Sequence, residues 1–164
     1  MATTTPAVAR SDQGLRAGAG LMTLAAVGFI GYAALFFARN FSDRFLELGI
    51  GPAQVDVGRQ QIQDFSPSLL HYVGHLHLAV AGFVAATGLA VAFLSWFGVR
   101  QGHLWAWVGA VAAPVLGLAV ALPAHYPYHF DTLGHLGLIY LATLVFVAGA
   151  LAALPGVLAQ RPGR

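Results

Sequence analysis

Apolar residues in this chain neither alternate nor keep to one face; they fill four long runs separated by short polar stretches. The runs cover about residues 15–38, 69–99, 104–124 and 133–158, each as long as the roughly 20 residues that a helix rising ~1.5 Å per residue needs to cross a bilayer. The pattern predicts an all-α fold, a single integral membrane domain built as a four-helix bundle with both termini on one side. Arg10 and Arg16 precede the first run as in a signal peptide, but the apolar stretch continues to Phe37 without a small-residue cleavage motif, so it reads as a helix. Composition agrees: the chain is 58% hydrophobic and 9% charged, with a mean hydropathy of +0.72.

Arginine placement gives the expected orientation. Arg10, Arg16, Arg100, Arg161 and Arg164 fall on the side of the termini, against Arg39, Arg44 and Arg59 on the other, which favours termini in the cytoplasm. The first connection, about residues 39–68, is the only sizeable extramembrane piece. Ser42 as a cap, Phe41, Phe45 and Leu48 at helical spacing, and Gly49 with Gly51-Pro52 as a stop fit a short helix lying in the interface. The same residues fit an ordered loop packed over the bundle.

Within the second run, Gly74, Ala81, Ala85, Gly88 and Ala92 keep to one narrow stripe at ~100° per residue, a seam for close helix packing in lipid. His71 and His77 flank that stripe and are expected to face the bundle, with His75 farther round. Pro114 and Pro123 interrupt the third run, and Pro123 with Pro127 predicts a turn carrying His125, Tyr126, Tyr128, His129 and Asp131. Ser66 or Ser68 suits the start of the second helix. Asp131 or Thr132 suits the start of the fourth, which places His135 in its first turn.

The stretch Trp96-Phe97-Gly98-Val99-Arg100-Gln101-Gly102-His103-Leu104-Trp105-Ala106-Trp107 resembles the inner connection of small bacterial four-span membrane proteins, including DoxX-like ones. The resemblance implies a bacterial inner-membrane location and the four-span fold. It covers a dozen residues and carries no functional residue with it.

The chemistry left to such a chain is narrow. There is no cysteine, hence no thiolate ligand or disulfide, and no lysine, hence no Schiff base; no basic run interleaved with aromatics points to nucleic acid. Histidine stands out: His71, His75, His77, His125, His129 and His135, six of seven, fall at one side of the membrane once the four spans are threaded. Ionisable groups in membrane spans usually mark function. The i, i+4 pair His71/His75 and the equally spaced His125/His129 have metal-ligand spacing, so His71, His75, His125, His129 and His135 are the candidate ligands for copper, zinc or iron. His75 with His135 is the candidate pair for a haem, and Asp131 is the candidate to orient a ring from behind. An interfacial belt made of the same histidines with Tyr72, Tyr126, Tyr128 and Tyr140 accounts for their depth without any ligand. Two further readings stand beside a metal site. One is a non-catalytic accessory subunit of a larger membrane complex. The other is a small membrane enzyme using histidine as acid or base on a lipid, quinone or other apolar substrate, for which a protected, hydrogen-bonded His–Asp contact opening on a lipid-accessible cavity is the sign.

Overall fold

The computed structural model describes residues 6–160, with side chains from residue 12 onward. Six α-helices follow in order: α1 (Pro6–Arg39), α2 (Pro52–Val55), α3 (Arg59–Phe65), α4 (Pro67–Phe93), α5 (Leu104–Ala121) and α6 (Leu133–Ala159). No strand occurs among the described residues. Four segments, Asp12–Arg39, Pro67–Gln101, Leu104–Tyr128 and Leu133–Ala159, are long and apolar enough to cross a membrane. Large apolar side chains such as Leu24, Phe83, Val120 and Leu144 point outward and are more than 60% exposed. A surface of that kind is costly in water and ordinary against lipid, so the bundle is built as a membrane protein.

α1 is the central helix and packs most extensively on α6 and α4. Small residues set that geometry. A Cβ on Gly18 would stand 2.8 Å from the Cβ of Ala153, and one on Gly149 would stand 2.8 Å from the amide nitrogen of Met22, so α1 and α6 meet backbone to backbone. The expected seam on α4 faces α1: Ala81 and Gly88 are buried, Gly88 lies against Ala26 and Ile30, and Gly74 lies against Asn40.

α4 ends at the side of the termini in a π-helical turn, Leu94–Gly98, and a 3-10 turn, Val99–Gln101, closed by Gly102 at φ +80°. Gly98 there packs on Ala106 of α5. Arg100 lies over the Trp96 ring at 4.3 Å, and Trp107 donates its indole N–H to the Ala150 carbonyl at 3.0 Å. α5 is held chiefly at this end and leans away from α6 beyond it.

At the opposite end the connections differ in part from expectation. Ser42–Leu48 is not helical. Ser42 donates to the Arg39 carbonyl at 2.9 Å and so closes α1 instead of opening a new helix. The Arg39 guanidinium turns back onto the carbonyls of Leu46 (2.9 Å) and Glu47 (3.3 Å), occupying acceptors that a helix would use. Arg59 donates to the Asn40 carbonyl at 3.2 Å and lies over the ring of Phe45, which is 2% exposed. The stretch is therefore an ordered loop packed over the bundle, and the short helices of this connection, α2 and α3, follow it.

Ser66 caps α4, accepting from the Leu69 N–H, with Pro67 in the first turn. Thr132, and not Asp131, caps α6, accepting from the His135 N–H at 3.3 Å. As Pro123 and Pro127 predict, the third connection leaves the α-helix, as 3-10 turns over Leu122–Ala124 and Tyr126–Tyr128, with His129 at φ +58°.

Candidate metal centre

Three side chains from three parts of the chain converge at this end. His135 comes from the first turn of α6, His125 from between the two 3-10 turns, and Glu47 from the loop over the bundle. One ligand atom from each lies within 4.8 Å of the others, a group able to hold a metal ion.

Each ring is held from behind. His135 is 1% exposed, and its Nδ1 lies 2.7 Å from the Leu48 carbonyl oxygen. His125 Nδ1 lies 2.9 Å from the Ala121 carbonyl oxygen. A carbonyl only accepts, so both Nδ1 atoms carry the proton, and in the neutral rings both Nε2 atoms keep a lone pair. This tautomer, fixed by an N–H bonded to a backbone carbonyl, is the one metal-ligating histidines commonly use. The two rings lie with centroids 5.0 Å apart.

His135 Nε2 stands 3.1 Å from Glu47 Oε2, yet the direction is not that of an N–H···O bond and the buried nitrogen has no hydrogen-bond partner. Two ligands ~2.0–2.2 Å from one ion, at right to tetrahedral angles, stand roughly 2.9–3.5 Å apart. The observed spacing suits a shared cation lying off the nitrogen–oxygen line. When it carries a proton on Nε2 as well, the facing His135 ring holds the Glu47 carboxyl below the ordinary carboxylate range, against an opposing push from burial. Glu47 is thus an anion beside two rings, and an ion that binds there displaces the Nε2 proton of His135 to gain an imidazole donor.

The loop reaches α6 because of one glycine. Gly49 sits at φ +78°, and a Cβ there would run into the Gly134 carbonyl and the His135 amide. Close approach of these two backbones brings the Leu48 carbonyl to His135. Beside the centre opens a cavity of about 370 Å³ lined by Glu47, His77, His125, Val55, Tyr128 and Phe130 among others.

Of the histidines read as ligands, His125 and His135 are brought together. His71 and His75 are exposed on α4, and His129 is exposed at its turn; none of the three belongs to the group. The expectation that His71 faces the bundle fails, because α4 turns Leu70 inward at that level. His77 does face inward, against Phe36 at 4.9 Å, and lines the cavity. The ring beside His135 is that of His125 and not that of His75. Asp131 is exposed, and backbone carbonyls hold the two rings.

The residue that sequence reasoning passed over is Glu47. A signal was present: it is the lone acid in the apolar stretch Phe45-Leu46-Glu47-Leu48-Gly49-Ile50. No family model, no curated protein and no solved structure matches this chain, so the centre is read from its own residues.

Proposed function

We propose that this membrane protein binds one divalent transition-metal ion through His125 Nε2, His135 Nε2 and the Glu47 carboxylate, at the face of the membrane away from the termini. The observation that carries the reading is the shared tautomer. Both rings spend Nδ1–H on a backbone carbonyl, which leaves Nε2 as the nitrogen able to ligate, and each offers a ring nitrogen within 4.8 Å of the Glu47 carboxylate. Two imidazoles and one carboxylate suit zinc or iron(II), and such three-ligand sites keep a coordination position open for water or substrate. The cavity lined by Glu47 and His125 gives that position room. A point-like ion fits three donors converging within 4.8 Å better than the haem considered from sequence, which needs two rings facing each other across a macrocycle. We place the protein in a bacterial plasma membrane, the location that the resemblance to DoxX-like proteins implies.

Elemental analysis of protein purified without chelator, followed by titration of the metal-free form with zinc, tests the proposal. One equivalent of metal, reduced at least tenfold in affinity by His135→Ala and by Glu47→Ala and unaffected by His71→Ala with His75→Ala, is the expected result. A wild-type protein that carries no metal and takes up no zinc overturns it, leaving Glu47 and His135 as an ion pair that ties the loop to α6.

A further inference from the structure

A second cavity opens between the spanning helices toward the lipid-facing surface. It holds about 270 Å³, is bounded by all four spanning helices, and is lined almost wholly by apolar side chains, among them Phe29, Phe83, Val91, Leu118 and Phe146. It exists because α5 leans away from α6 and because the walls there include the small residues Gly88, Ala113 and Gly117 and the helix-interior Pro114. Its lining runs from Ala113 to Ala121 on α5 and from Phe83 to Val91 on α4, so it extends roughly 12 Å along the bundle at ~1.5 Å per residue. The depth suits a hydrocarbon chain.

Its upper end approaches the proposed metal centre. Ala121 and Ile139 line the cavity, and each lies one helical turn below a ligand histidine, His125 and His135 respectively. Four residues of rise put the top of the cavity about 6 Å beneath the centre. His125 is bonded to the carbonyl of that same Ala121. A molecule with its chain in this cavity brings its head to within about one helical turn of the ion, whose open position faces the cavity lined by Glu47 and His125. The charge is complementary as well: a divalent ion with one carboxylate and two neutral imidazoles leaves one positive charge, which a monoanionic head neutralises.

We infer that the cavity and the Glu47–His125–His135 centre form one binding site for a long-chain carboxylic acid, the hydrocarbon chain lying between α4, α5 and α6 and the carboxylate taking the open position of the ion. This rests on the metal reading above. It extends that reading by naming the class of ligand.

Cobalt(II)-loaded protein in lipid nanodiscs provides the test, since the cobalt absorption bands shift when an oxygen donor enters the open position. Titrations compare acetate, dodecanoate and dodecanol. Dodecanoate is expected to bind at least tenfold more tightly than acetate, and dodecanol is expected to leave the bands unmoved. Gly117→Phe puts a ring where a Cβ meets nothing within 4 Å. It should remove the advantage of dodecanoate while leaving cobalt and acetate affinities unchanged. Ala113→Leu repeats the test should the larger replacement prevent folding.

Equal affinity for acetate and dodecanoate overturns the inference. So does an advantage for dodecanoate that persists in both variants, since chain partition into the bilayer alone then explains it. Displacement of dodecanoate by a neutral decyl quinone at equal concentration overturns the carboxylate assignment. Failure of the wild-type protein to take up cobalt removes the centre itself, a result distinct from all of these.

Discussion

His135 Nδ1 sits 2.7 Å from the carbonyl oxygen of Leu48, a residue 87 positions earlier in the chain. That bond joins the first turn of α6 to the loop that follows α1, and it fixes which nitrogen of His135 meets Glu47. Structure and chemistry are coupled there, because the contact that pins the loop also prepares the donor.

Replacing His135 tests the coupling. His135→Ala leaves the Leu48 carbonyl without its partner and opens a hole in a fully buried position. A loss of about 1–3 kcal/mol in unfolding free energy is expected. Metal affinity should fall by more than the ~10–100-fold typical of losing an outer-shell partner. Denaturant titration in mixed micelles and zinc calorimetry read the two effects separately.

Gly49→Ala acts without touching a ligand. It places a Cβ at a left-handed backbone position and drives it into Gly134 and His135, so the loop must lift from α6. The expected outcome is a drop in zinc affinity approaching that of His135→Ala, with the spanning helices intact by circular dichroism. Unchanged affinity would show that the loop does not position Glu47.

Glu47 gives the metal-free protein a pH dependence of known sign. Its folded pKa lies below the ordinary value of 4.5, so its contribution to stability is complete above that value and is lost as pH falls below it toward the depressed folded pKa. Melting curves across pH 3 to 6 should show the wild type losing stability in this window and Glu47→Gln losing less. A parallel loss in both proteins would assign the effect to other groups.

Metal uptake should follow a different pH range. Imidazole must be neutral to ligate, so zinc affinity is expected to weaken as pH falls and the ligand rings take up protons. Zinc titrations at pH 5.5 and 7.5 check this, and binding should release protons at the lower pH.

The α1–α6 contact carries the bundle. Gly18→Val inserts a branched side chain where a Cβ already stands 2.8 Å from that of Ala153. A cost of about 1–3 kcal/mol is expected from overpacking. Gly28→Ala, at a position where a Cβ meets nothing within 4 Å, should be nearly neutral in the same assay.

Much of this molecule could be read before any coordinates. The four apolar runs determine the four spanning helices, because a backbone in lipid must satisfy its own hydrogen bonds and helices do so locally. Pro123 and Pro127 determine the turn that carries His125, and the stripe from Gly74 to Ala92 determines the face of α4 that meets α1. These are local signals, written in the spacing of neighbours. The centre is not local. Glu47 stands in a loop whose path is set by Arg39 and Arg59 reaching carbonyls several residues away, and by one glycine contact between Gly49 and Gly134. The sequence alone placed histidines at one depth in the membrane. Only tertiary packing could choose among them, since rotating α4 so that Leu70 faces inward leaves His71 and His75 exposed and leaves His125, His135 and an unforeseen carboxylate to meet.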